Sequence, residues 1–161
     1  MMNPEPQKEH KWLQRLVGEW TMEGECDMGP GQPVSKTTGT ESGRSIGGLW
    51  VVAEGKGEMT DGNTGTMIMT LGFDPEKKRF TGTWIGSMMT NLWIYDGELD
   101  ATGRVLTLNA EGPDMATEGK TAKYRDVIEF KSDDHRVLTS HMLGGDGEWV
   151  QFLKADYRRK R

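Results

Sequence analysis

The sequence contains one cysteine, Cys26, among 161 residues, and it has no run of about 18 apolar residues. One cysteine excludes a disulfide within the chain. The missing apolar run argues against a membrane-spanning helix, and the first residues have no apolar stretch typical of a signal peptide. Together these absences predict a soluble protein of a reducing compartment, and we expect the cytoplasm of a bacterial-type cell.

Basic residues are also scarce relative to acidic ones. Twenty Lys and Arg stand against 25 Asp and Glu, which gives a net charge of -5. An acidic chain without a basic stripe has no electrostatic footprint for nucleic acid. The only basic cluster is residues 158–161, which we interpret as a solvated end of the chain. Neither nucleic acid nor a membrane is therefore an expected partner.

Signatures of catalysis and metal binding are missing as well. The sequence has no G-x-S-x-G nucleophile elbow and no HExxH helix motif. Its three histidines do not have the spacing of zinc ligands. We therefore assign no catalytic residue and no metal ligand, and we expect a non-enzymatic protein more than an enzyme.

The apolar pattern changes once along the chain. Residues 1–7 predict a loose lead-in, and apolar residues at helical spacing predict one short helix over 8–17, ended by Gly18. After Gly18 the pattern alternates with period two through about ten segments, separated by short turns rich in glycine and aspartate. Short turns require antiparallel pairing, and closure removes the exposed edges. The prediction is an all-β protein, with residues 8–161 forming a single antiparallel up-and-down β-barrel of about ten strands.

The junction between helix and first strand, HKWLQRLVGEW, carries a family resemblance. Leu16, Gly18 and Trp20, followed by Gly24, resemble the start of the calycin group, which includes lipocalins, fatty-acid-binding proteins and nitrobindin-like haem barrels. The resemblance implies that Trp20 closes one end of the barrel. It also implies that Arg159, or its neighbour in the last strand, lies over the indole in a cation–π contact.

A longer resemblance covers most of the chain. The strings HKWLQRLVGEW, GTESGRSIGGLWVVAEG, MTLGFDPEKKRFTGTWIGSMMTNLW and AKYRDVIEF resemble the uncharacterised bacterial family called domain of unknown function 1579. That resemblance implies a lipocalin-like, calycin-type barrel and brings no established activity with it.

Methionine and aromatic side chains share one face of several predicted strands. Such side chains suit an adaptable apolar pocket. The glycines at 82 and 86 on the same face favour a cavity over a filled barrel, although both remain open. The residues predicted to line the pocket are Met22, Met28, Trp50, Met67, Met69, Phe80 and Trp84.

Polar candidates cluster on the eighth strand. Period two places Tyr124 and Asp126 on one face and Arg125 on the other. An inward Arg125 would bind a carboxylate head group, whereas an inward Tyr124 and Asp126 would orient a polar ligand or a water. Arg44 and Glu54 are further candidates for buried partners. The same ambiguity affects the sixth strand, where either Leu92 and Ile94 or Trp93 and Tyr95 point inward.

The function that this pattern favours is binding of a small hydrophobic or amphipathic molecule inside the barrel. One alternative is an interaction module, such as a homodimer formed through exposed Trp93, Met88 and Met89. Another is a haem protein with His141 as the axial ligand, or a small enzyme that uses Tyr124 and Asp126. No cofactor is expected apart from the haem alternative.

Overall fold

The computed structural model describes residues 4–27, 29–58 and 62–160. It has ten strands in one closed barrel, in which each strand pairs antiparallel with its neighbours in sequence and the last strand pairs with the first. The predicted up-and-down barrel and its N-terminal helix are confirmed. Within the described residues, no helix is long and apolar enough to cross a membrane.

The helix and strands have the following bounds. The helix α1 spans Lys8–Leu13 and continues as one 3₁₀ turn over Gln14–Leu16. The strands are β1 Gly18–Cys26, β2 Ser35–Ile46, β3 Trp50–Glu58, β4 Thr64–Asp74, β5 Arg79–Gly86, β6 Trp93–Leu99, β7 Val105–Pro113, β8 Thr121–Ser132, β9 His135–Leu143 and β10 Trp149–Arg159. The helix is shorter than predicted, because Val17 is already extended, with φ -69° and ψ 136°.

Some predicted features lie outside the described residues. They are the first three residues of the lead-in, Met28 among the predicted lining residues, and the final residue of the basic tail.

The strand register decides which face of β6 is inside. Trp93 and Tyr95 point into the barrel, whereas Ile94 is 63% exposed on the outer face. The register pairs Tyr95 with Gly82 and Trp84 with Trp93 across β5 and β6. Gly82 itself has no free space beside it, because a Cβ there would lie 2.1 Å from the carbonyl oxygen of Thr70.

The helix fills one end of the barrel, called the closed end here. Trp12, Leu13 and Leu16 pack against Phe80 and Phe130 in the buried core. The Trp12 ring meets Phe80 at 6.2 Å and Phe130 at 5.4 Å, both edge to face. The prediction that Phe80 lines a pocket is therefore wrong. Its ring points inward as expected, but at the closed end, where the helix occupies the interior.

Trp20 lies at the centre of the closed end with no exposed surface. Its indole is held between two guanidinium groups, with Arg136 at 4.4 Å and Arg159 at 4.2 Å from the ring centroid. Arg159 also donates to the carbonyl oxygens of Val17, at 2.7 Å, and Arg15, at 3.0 Å. These bonds fasten the last strand to the start of the first.

Residues Gly18 to Trp20 form a G-x-W triplet, and the structure explains why its first residue is glycine. Its φ of +127° lies where side-chain-bearing residues are rarely found. A Cβ at this position would also lie 2.5 Å from Nη1 of Arg159. The backbone conformation therefore favours glycine, and the missing Cβ leaves room for the guanidinium that covers the tryptophan.

Candidate functional site

A cavity of about 420 Å³ occupies the barrel at the end opposite the helix, called the open end here. The strands that frame it contribute their inward residues, and the loop residues Met89 and Met115 contribute at its mouth. The lining residues include Met22, Cys26, Lys36, Thr37, Glu58, Met67, Met69, Trp84, Trp93, Tyr95, Leu108, Ala110, Tyr124, Asp126, Leu138, Ser140, Phe152, Leu153 and Tyr157.

The cavity wall is mostly apolar, and several of its side chains are flexible methionines. Met22, Met67, Met69 and Trp84, which the sequence placed in a pocket, all line it. Trp93 and Tyr124 meet edge to face at 4.9 Å, and the hydroxyl of Tyr124 donates to the carbonyl oxygen of Pro113 at 2.5 Å. This bond ties the tyrosine ring to the last residue of β7.

A bulge in β10 adds a further aromatic ring to the wall. The register with β9 shifts between Gln151 and Leu153. A bulge places two successive residues on one side of a strand. Phe152 and Leu153 both line the cavity as a result, which period-two reasoning alone does not foresee.

One acidic group lies deep in this apolar wall. The hydroxyl of Tyr95 donates to Oδ2 of Asp126 at 2.5 Å, and the side chain of Ser140 donates to the same carboxyl group. Burial raises the pKa of Asp126, and the two hydroxyl donors oppose that rise. Burial also raises the pKa values of Tyr95 and Tyr157 well above the usual range.

Below the cavity lies a void of about 30 Å³, adjoining it through Met69, Leu138 and Tyr157, which line both spaces. Arg136 and Glu41 form an ion pair there, with side chains only 5% and 13% exposed. The guanidinium also lies 4.2 Å from the Tyr157 ring centroid. Among the described residues, Nη1 of Arg136 has no hydrogen-bond partner. A void of this size suits one water molecule.

Of the two alternatives for β8, the structure has Tyr124 and Asp126 inward and Arg125 outward. Arg125 stacks on Trp149 at 4.1 Å, and its Nε donates to Oδ1 of Asn109 at 3.3 Å. The alternative in which Arg125 binds a carboxylate inside the barrel is therefore wrong, because β8 turns its side chain to the outer face.

His141 also lies on the outer face, since its neighbour Ser140 lines the cavity. Its Nε2 is 3.0 Å from Oγ1 of Thr139, on the same face. Burial, followed by the nearby charge of Arg125, lowers the pKa of His141. The geometry does not place this ring where an axial ligand inside the cavity would stand.

Three more predicted lining residues lie outside the cavity. Trp50 is 44% exposed, and its ring covers Gly72 on the outer surface, where a Cβ would lie 2.4 Å from the indole. Arg44 is exposed, and Glu54 follows the inward-facing Ala53 and so points outward. In each case the strand register places the neighbouring residue inside instead. Trp93 lines the cavity, so it does not belong to an outer dimer face.

Sequence reasoning missed the residues that complete the polar part of the site. On β9 the sequence analysis names only His141, which lies on the outer face, whereas the inward face carries Arg136, Leu138 and Ser140. The signal that could have found them is the period-two alternation of β9, because positions 136, 138 and 140 share one face. The partnership of Tyr95 with Asp126 links positions 31 apart, and only the fold brings them together.

No group of three or more His, Cys, Asp or Glu residues in the described part of the chain is arranged to hold a metal ion. Cys26 lines the cavity near its mouth, and burial, followed by the neighbouring Asp27, raises the pKa of its thiol. A thiol with a raised pKa is a poor nucleophile at neutral pH.

Comparison with known proteins assigns the chain to a family. The family described as "Protein of unknown function (DUF1579)" matches residues 5–159. The chain belongs to this family. No curated protein matches the sequence.

Solved structures share the fold of this DUF1579 member. Rv2717c from M. tuberculosis aligns with a TM-score of 0.67 at 14% identity, covering 98% of this chain and 100% of the other. The S-type phycobiliprotein lyase CPES from Guillardia theta aligns with a TM-score of 0.59 at 13% identity, covering 98% and 99%. The barrel EF1p2_mFAP2b, bound to DFHBI, aligns with a TM-score of 0.51 at 14% identity, covering 94% and 98%. At these identities the likeness shows the fold alone.

Proposed function

We propose that this protein binds a small, mostly apolar molecule inside the open end of the barrel. The observation that carries the proposal is the cavity of about 420 Å³, which has apolar walls and a few convergent polar groups. Binding sites for small molecules usually have volumes of about 300–1,000 Å³ and this mixture of surfaces. The volume suits a molecule of one to three rings.

The composition of the wall supports a ligand that contains an aromatic or conjugated ring. Met22, Met67 and Met69 provide flexible thioether groups, which adapt to the shape of a guest and contact aromatic rings favourably. Trp84 and Trp93 provide flat surfaces for offset or edge-to-face packing. A straight-chain lipid would make less use of these rings.

A barrel of this fold can hold such a guest. EF1p2_mFAP2b is bound to the small molecule DFHBI in its solved structure. Because its identity to this chain is low, it supports only the capacity of this fold to enclose a small molecule. The choice of ligand depends on the side chains described above.

Titration with the neutral, environment-sensitive fluorophore Prodan tests the proposal. Its naphthalene skeleton fits the cavity, and we expect saturable binding at one site with a blue shift of its emission. Ala110→Phe places a ring into the cavity from a lining position, and we expect it to weaken binding by about tenfold or more.

The matched control is Ile94→Phe, which adds a similar ring on the exposed outer face. We expect this variant to bind Prodan as the unmodified protein does. Equal binding by the two variants, or no saturable binding to the unmodified protein, would show that the cavity is not a ligand site.

A further inference from the structure

The charged groups of the cavity are distributed unevenly. Lys36 and Glu58 line the exposed mouth, where water screens them. Asp126 lies deep in the barrel, and its remaining accessible surface faces the cavity because the residue lines it. Among the described lining residues, no lysine or arginine lies beside it. The interior of the cavity therefore carries an acid without a basic partner.

The residues packed around Asp126 do not supply a positive charge. Leu108 on β7 and Ser140 on β9 are its direct neighbours across the sheet. Tyr95 on β6 and Tyr157 on β10 are the other titratable groups that face it from the interior. His141, whose charge lowers the pKa of Asp126 less than burial and the hydroxyl donors shift it, points to the outer face of β9.

The carboxyl group keeps capacity for a further partner. A carboxylate has about four acceptor positions. The hydroxyls of Tyr95 and Ser140 use two of them, and both hold the group in one orientation. About two acceptor positions therefore remain for a ligand donor, and Asp126 lines the cavity in which that ligand would lie. An acceptor that is oriented in advance by protein donors binds a charged donor well in an apolar surrounding.

The buried guanidinium of Arg136 does not offset this acid. Arg136 lies below the cavity, where it is paired with Glu41 and stacked between Trp20 and Tyr157. An ion pair contributes almost no net charge to its surroundings. A ligand carboxylate placed beside Asp126 would therefore meet a like charge, while Lys36, the lysine of the described cavity lining, lies at the exposed mouth.

We infer that the cavity selects ligands that carry a protonated nitrogen on a small ring skeleton, and that Asp126 is the group that receives this nitrogen. The inference rests on the proposed function and names the ligand class of the same site. It reverses the charge preference expected from an inward Arg125.

Three compounds with one skeleton test the charge preference by competition with Prodan at pH 7. They are 2-(aminomethyl)naphthalene, 2-naphthalenemethanol and 2-naphthoic acid, which place an ammonium, a hydroxyl and a carboxylate at the same position. We expect the amine to compete at least about tenfold more strongly than the alcohol, since an ion-paired hydrogen bond replaces a neutral one. The acid is expected to compete more weakly than the alcohol.

Asp126→Asn keeps the size of the side chain and removes its charge. We expect it to bring the amine and the alcohol within about threefold of each other. The matched control is Asp156→Asn, an acid near the surface of β10 that is paired with His135, and it should retain the preference for the amine. Circular dichroism spectra establish that each variant is folded.

The outcomes separate the inference from the proposed function. If the alcohol competes with Prodan but the amine shows no advantage in the unmodified protein, the inference is overturned and the binding function stands. This comparison does not depend on any variant folding. If neither Prodan nor the naphthalenes bind, both the proposed function and the inference fall.

Discussion

The two ends of the barrel are built by the same ten strands yet differ in how their interiors are filled. At the closed end Leu13, Trp20, Phe80 and Phe130 are 0–2% exposed and leave only a void of about 30 Å³. At the open end the inward side chains surround about 420 Å³. The difference comes from the helix, which adds apolar side chains at one end only. The closed end therefore supplies packing stability, and the open end supplies space.

The two ends also treat buried charge differently. Arg136 at the closed end is paired with Glu41 and stacked on aromatic rings. Asp126 at the open end has hydroxyl donors, and no lysine or arginine in the described part of the chain forms an ion pair with it. Burying a charge without an opposite charge is unfavourable for folding. The open end thus carries a stability cost that a ligand of the right charge would remove, which is a common property of binding sites.

The largest effect is expected from Trp20→Ala at the closed end. The substitution removes a fully buried ring from between two guanidinium groups and leaves a cavity. We expect the free energy of unfolding to fall by about 3–5 kcal/mol, measured by urea denaturation. Trp50→Ala on the outer face is the control, with an expected loss of about 1 kcal/mol. Similar losses for the two variants would contradict a special role for the closed end.

Breaking the buried ion pair should have the next largest effect. Glu41→Ala leaves Arg136 buried without its partner, and we expect a loss of about 3 kcal/mol. The comparison is Asp96→Ala in the Arg79–Asp96 pair, which is 2.8 Å long but has side chains 32% and 66% exposed. That surface variant should lose at most about 1 kcal/mol. Equal shifts of the urea midpoint in the two variants would show that burial of an ion pair does not change its contribution to stability.

Asp126→Asn should change how stability depends on pH. The pKa of Asp126 is raised in the folded protein above the usual 3.8. The folded state therefore favours the protonated acid, and stability is lost as the pH rises from 3.8 through the raised pKa. The asparagine variant lacks this loss, so its stability relative to the unmodified protein should increase between pH 4 and pH 7. Urea midpoints of both proteins measured across this range test the sign. A stability difference between them that does not change with pH would mean that ionised Asp126 carries no burial penalty.

The fold could be predicted from the sequence because its signals are local and repeated. Period-two alternation, short turns and one amphipathic helix agree along the whole chain. The G-x-W triplet marked the end of the barrel at which Gly18, Trp20 and Arg159 meet in the structure. The turn residues then required antiparallel pairing, which led to closure.

The site could be predicted only in part because alternation does not say which face is inside. It correctly grouped Met67 with Met69 and Tyr124 with Asp126, but left the direction of Arg125 open. It also could not say which end of the barrel is filled, so Phe80 was placed in the pocket. The pairing of Tyr95 with Asp126 depends on strands that are not neighbours in the sheet. Only the closed barrel brings these strands face to face.

The smallest effect is expected from Arg125→Ala, which tests the two faces of one strand. Arg125 stacks on Trp149 outside the barrel, and losing this cation–π contact should lower the free energy of unfolding by about 0.5–1 kcal/mol. Because the side chain does not reach the cavity, affinities for Prodan and for 2-(aminomethyl)naphthalene should stay unchanged. His141→Ala should behave in the same way, since its ring bonds to Thr139 on the outer face. A loss of binding in either variant would place the ligand outside the barrel, against β8 and β9, instead of beside Asp126.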